Sequence, residues 1–139
     1  MDSGPILGIS ANANLREALG VEDIRFADGK VEIRWQPGEP WVNSAGGVFG
    51  GIIPALIDLA TGLAILNADS RIPEAAPTVS MHIDYVRPLG VGSVYRVLGT
   101  PVRVGRRIAV ADGEIFDESG RLMVRASATM AVVQADHAT

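Results

Sequence analysis

Residues 49 to 67 read FGGIIPALIDLATGLAILN, and no other stretch restricts the fold as much. A helix this long that is apolar almost all round cannot lie on a surface. It has to be enclosed by one curved sheet, with a partner chain or a ligand covering what remains. Pro54 falls in its first turn, where a missing N–H costs little, so the helix is predicted to begin near Gly50. A single carboxylate, Asp58, interrupts the apolar run. An ionised group is expensive to bury unless it is paired, protonated or put to use.

Spacing of about 100° per residue places Gly51, Pro54, Ala55, Thr61, Gly62 and Ile65 on the arc around Asp58. That stripe of mostly small residues leaves room for a second polypeptide or a ligand. Asp58 either lies on a solvated edge, satisfied by a hydroxyl or an Arg, or faces a group that needs it. The segment in front, NSAGGVFGG (43–51), carries four glycines up to and into the helix start. Backbone N–H groups are unpaired there and the dipole is positive, so the place suits an anion or the oxygen of a tetrahedral intermediate.

The rest of the chain changes period from 3.6 to 2. NANLREALG (12–20) predicts a short helix stopped by Gly20, and KVEIRWQP (30–37) predicts a strand. TVSMHIDYVRP (78–88), VYRVLGTPVRV (94–104), RRIAVADGEIFD (106–117) and RLMVRASATMAVVQ (121–134) are four further strands, separated by LGVG, VGR and DESG turns. The pattern predicts one α+β domain over 1–139: an antiparallel sheet of five to six strands around one long central helix. Residues 1–29 form an N-terminal extension with the short helix, and 135–139 a flexible tail.

Composition narrows the function classes. Only 20% of residues are charged, yet no run of about 18 uninterrupted apolar residues stands out, so a soluble chain without a membrane partner is expected. MDSGPILGIS has no basic leader before an apolar segment, and cysteine is absent. Both point to the cytoplasm and away from disulfides and thiolate metal sites. A net charge of −4 argues against nucleic acid. Eleven of the twelve basic residues are Arg, whose fork suits phosphates, although such a bias also follows from genome composition. No His or Cys cluster supports a metal, and G-x-S-x-G is missing.

The pattern N-x-x-G-x-x-F-G-G (43–51), then L-I-D (56–58), ahead of four strands, resembles the hotdog-fold acyl-CoA thioesterases. It is most similar to the phenylacetate-pathway branch of the 4-hydroxybenzoyl-CoA thioesterase superfamily, across about residues 30–134. That branch shows N-x-x-G-x-x-H-G-G with an acid seven residues after the last glycine, the spacing from Gly51 to Asp58.

The resemblance implies hydrolysis of an aryl- or medium-chain acyl-CoA, with coenzyme A present only as part of the substrate. Asp58 would be general base or nucleophile and Gly50 the oxyanion-hole donor. Asn43 would orient the acid or the water, and Thr78 would hold water from the facing subunit. It also implies a homodimer or homotetramer with shared sites. Gly51 and Phe49 would touch substrate, with Phe49 standing where the family has His. Arg87, Arg106 and Arg107, near strand ends, are the candidates for the CoA phosphates. A non-catalytic acyl-CoA or aryl-ligand binding protein, and a hydratase or dehydratase on the same fold, are the competing classes. His82 fits a surface or interface role as well as a catalytic one, and any of Phe49, Trp35, Trp41 and Tyr85 can line the pocket.

Overall fold

The strand that the sequence places at Lys30 has a neighbour before it. A computed structural model describes residues 13–69 and 76–133. There α1 (Ala13–Leu19) leads into β1 (Val21–Ala27), which turns back into β2 (Lys30–Trp35). The turn is Asp28-Gly29, at φ 53° and 73°, with Ala27 opposite Lys30. Positive φ at both positions is the two-residue geometry that matches the twist of the flanking strands. β1 therefore belongs to the sheet and is not part of an extension.

Short 3-10 turns at Glu39–Trp41 and Gly50–Ile52 bring the chain into α2 (Ile53–Ala68). β3 (Thr78–Tyr85), β4 (Tyr95–Val104), β5 (Ile108–Asp117) and β6 (Leu122–Ala131) follow. All neighbours pair antiparallel in the order β1-β2-β4-β5-β6-β3, so β3, first after the helix, ends up at an edge. The expected tail, with His137, lies outside the described residues.

One sheet wraps one helix. Leu56, Ile57, Ala60 and Leu63 of α2 are fully enclosed by Val31, Ile33, Trp35, Val97, Ile115 and Val124, and Ile65 and Leu66 are buried against Ala109, Ala111, Ala128 and Met130. Residues 50–68 are long and apolar enough to cross a membrane, and half of that stretch is buried within the fold as its core helix. Burying each large aliphatic side chain stabilises the fold by about 1.5–3 kcal/mol.

Two glycines let the helix lie that close. Gly99 of β4 and Gly113 of β5 face each other in register under α2. A Cβ at Gly99 would strike the backbone carbonyl of Ala60, and one at Gly113 would press on Ile57 and Thr61.

α1 is pinned at its C-terminal end by two indoles. Trp35 Nε1 donates to the Leu19 carbonyl at 2.7 Å and Trp41 Nε1 to the Ala18 carbonyl at 2.8 Å, which satisfies two carbonyls the helix cannot. Both tryptophans thus tie α1 to the rest of the fold. The β5–β6 turn is closed by Asp117, whose carboxylate accepts from Ser119 and Arg121. Those bonds, the Ser119 hydroxyl first, hold it far below the usual carboxylate range.

Candidate active site

α2 is not covered on every side. Gly51 and Asp58 are exposed and Pro54, Ala55, Leu59 and Gly62 half-buried, which leaves one open face. Thr61 and Ile65, expected on this arc, are fully buried. Asp58 stands at one border of the open face and not at its centre, and Leu59 takes the place on the other side. Thr61 turns its hydroxyl back onto the Ile57 carbonyl at 2.7 Å.

Asp58 has a partner within its own chain. Thr78 Oγ1 donates to Asp58 Oδ1 at 2.5 Å. The pair lines a cavity of about 350 Å³ whose other lining is aliphatic: Leu15 and Leu19 of α1, Ala55, Leu59, Gly62, Leu63 and Leu66 of α2, and Ala76 and Pro77 ahead of β3. A carboxylate with one oxygen held by a hydroxyl, beside an apolar cavity, is placed to take a proton from water or to attack an electrophile. The resemblance implied a Thr78 acting from a facing subunit; within this chain it already reaches Asp58.

Strict alternation along β3 groups Thr78 with Ser80, His82 and Asp84. A register shift between Thr78 and Ser80 separates them. Thr78 pairs with the buried Met130, while Ser80 pairs with Thr129 and His82 with the exposed Ser127. The irregularity turns Thr78 towards the helix and leaves His82 on the outer face. There His82 Nε2 lies 3.1 Å from Asp84 Oδ1, and Arg125 donates to the other oxygen at 3.2 Å. Arg125, and after it His82, hold the Asp84 carboxyl below its usual range. This trio lines a separate depression of about 400 Å³ with Lys30, Asp112 and Glu114, away from Asp58.

The helix start is built from other parts. Asn43 Oδ1 accepts from the N–H groups of Ala45 and Gly47, both at 2.9 Å, and so folds the loop in front of the helix. Its amide is committed to that loop and does not reach Asp58 within the chain. Phe49 donates its N–H to the Trp41 carbonyl at 2.6 Å, and its ring, about half exposed, folds over Gly51 so that a Cβ there would run into it.

Tyr85 is the residue that the sequence reading left undecided among four aromatics. Its hydroxyl donates to the Gly50 carbonyl at 2.9 Å and its ring lies against Gly50. The signal was its place at the end of β3, on the inner face with Met81 and Ile83.

Gly50 and Asp58 lie on one continuous rod, eight residues apart, which is roughly 12 Å or more along the axis. The three candidate arginines divide likewise. Arg106 and Arg107 are exposed at the β4–β5 turn, at the sheet end where Thr78 and Met130 lie. Arg87 follows Tyr85 at the other end, some seven strand residues or roughly 23 Å away, and donates to the Leu122 carbonyl at 2.5 Å. Among the described residues no three His, Cys, Asp or Glu side chains are grouped to hold a metal ion.

Known proteins resemble this chain in sequence and fold. The chain is 27% identical over 132 residues to the medium/long-chain acyl-CoA thioesterase YigI of Escherichia coli K12, covering 83% of each. A point mutant of the phenylacetic acid degradation protein PaaI from Thermus thermophilus superposes with a TM-score of 0.75 at 28% identity, covering 86% of this chain and 99% of that one. A hypothetical thioesterase from Streptococcus pneumoniae TIGR4, solved with coenzyme A, gives 0.73 at 26%, covering 81% and 85%. The sequence profile of the thioesterase superfamily matches residues 45–124, from the glycine loop through α2 into β6. The chain belongs to the thioesterase superfamily: it has the hotdog fold, and it is a thioester hydrolase.

Proposed function

We propose that the protein hydrolyses the thioester of an aryl- or medium-chain acyl-CoA in a site shared by two chains, Asp58 coming from one and the Gly50 N–H from the other. The observation that carries this reading is the Thr78–Asp58 hydrogen bond in the lining of an otherwise apolar cavity. The sharing follows from distance. A carbonyl carbon under attack needs its nucleophile and its oxyanion donors each within about 3 Å, and on one helix Gly50 and Asp58 stand several times further apart. The open face of α2 and the free edge of β3 are where a second chain fits. The acyl-CoA class is supported by the activity named for YigI and by the coenzyme A in the pneumococcal structure.

In this reading Asp58 takes a proton from a water whose oxygen bonds to the carbonyl carbon. The tetrahedral oxyanion accepts from the Gly50 N–H, where the helix dipole is positive. The C–S bond then breaks, the electron pair leaves on the sulfur of coenzyme A, and that thiolate takes a proton. Direct attack by the carboxylate, giving an anhydride that water opens, uses the same group and balances equally. Phe49, in place of the family's His, offers the acyl group apolar contact where His would offer a hydrogen bond.

Asp58→Asn keeps the shape and removes the base. Its kcat on a panel of aryl- and alkyl-CoA substrates is expected to fall at least about 100-fold with the unfolding midpoint unchanged. Turnover within a few-fold of the parent takes Asp58 out of the mechanism.

A further inference from the structure

We propose that the cavity beside Asp58 is a length gauge for a straight alkyl chain, with Gly62 as its floor and Leu15 and Leu19 of α1 as its outer wall. The inference rests on the acyl-CoA reading above and narrows it to one class of acyl group. Among the described residues the lining apart from Asp58 and Thr78 is aliphatic, with no aromatic ring on which an aryl group would stack. The cavity follows α2 from Ala55 to Leu66, and its part beyond Asp58 runs past Leu59, Gly62 and Leu63. Eight helical residues span about 12 Å. An extended carbon chain advances about 1.25 Å per atom, from bonds of about 1.5 Å at tetrahedral angles. The cavity therefore takes an acyl chain of roughly eight to ten carbons.

Gly62 matters because of what it lacks. A Cβ built on it meets nothing within 4 Å, so the space over it is open, and Leu15 and Leu19 line the same cavity as an outer wall. That wall is α1, which lies outside the residues matching the superfamily profile. The two indole bonds to its last carbonyls hold it in place. The gauge is thus assembled from a helix inside the profile and a segment outside it.

The test compares kcat/KM for butanoyl-, octanoyl-, decanoyl- and benzoyl-CoA in the parent, Gly62→Leu and Leu15→Trp. Replacing Gly62 in a helix interior raises helix propensity, so Gly62→Leu is expected to fold. In the parent, kcat/KM should rise by up to about fourfold per buried methylene and level off near ten carbons. In both variants the decanoyl-to-butanoyl ratio should drop at least about 10-fold. A ratio unchanged in both variants, or a parent that prefers benzoyl- to octanoyl-CoA, overturns the gauge while leaving thioester hydrolysis intact. A drop confined to Gly62→Leu overturns the part given to α1. A parent that cleaves none of the four substrates, with or without Asp58, overturns the acyl-CoA reading itself and the gauge with it.

Discussion

The hydroxyl of Thr78 reaches Asp58 because β3 is irregular at its start. Without the register shift Thr78 would point with Ser80 and His82 to the outer face, and Asp58 would lose its partner. A hydrogen bond to a charged group is worth about 1.5–3 kcal/mol. Thr78→Val keeps the volume and deletes that bond, so kcat should fall about 10- to 100-fold with KM little changed, while Thr78→Ser keeps most of the turnover. Steady-state kinetics on one acyl-CoA with thermal unfolding as a control decides this; a Val variant within twofold of the parent shows that the bond does not position Asp58. The positions of Asp58 on the helix and of Gly50 at its start were legible in the sequence, because a lone carboxylate in an apolar helix and glycines at a helix start are local signals. The facing of Thr78 was not, since a bulge depends on which strand is paired, and period-2 alternation then assigns the wrong side.

At the scale of elements, the helix and the sheet are held together where two glycines meet. Gly99 lies under the Ala60 carbonyl, a backbone atom that can retreat only if α2 moves. Gly113 lies under the Ile57 and Thr61 side chains, which can give by a few tenths of an ångström. Gly99→Ala should therefore destabilise the protein by about 1–3 kcal/mol and Gly113→Ala by less, measured as urea midpoints at equal slope. The reverse order, or no loss at Gly99, contradicts a helix seated directly on that strand. The long helix and strands β2 to β6 were readable because each buries a regular face. β1 was not: VEDIRFA mixes charges among half-buried positions on both faces, and its evidence was the Asp28-Gly29 turn behind it, a hairpin signal more specific than the strand.

For the whole molecule the question is which chain supplies which group. A shared site makes a claim that no single variant can test, since Asp58→Asn and a variant lacking the Gly50 N–H are each expected to be inactive as pure proteins. Gly50→Pro is a suitable second lesion. Proline is tolerated in the first turn of a helix, and Phe49 in front of it already has φ −60° and ψ 122°, the extended backbone that a residue before proline adopts. A mixed dimer of the two variants holds one site with both lesions and one with neither. Co-expression with two different tags and double affinity purification should therefore yield hybrids with about half the parent's kcat per dimer, although each variant alone is inactive. If the site is shared as proposed, the intact site of such a hybrid would combine the arginine that follows Tyr85 on the chain lending Gly50, Arg87, with Arg106 and Arg107 of the chain lending Asp58. The two groups would then converge on one substrate though they lie at opposite ends of a single sheet. Hybrids as inactive as the parent variants would mean that Asp58 and Gly50 serve the same chain's site, and that the distance between them is bridged by movement within one chain instead of by a second chain.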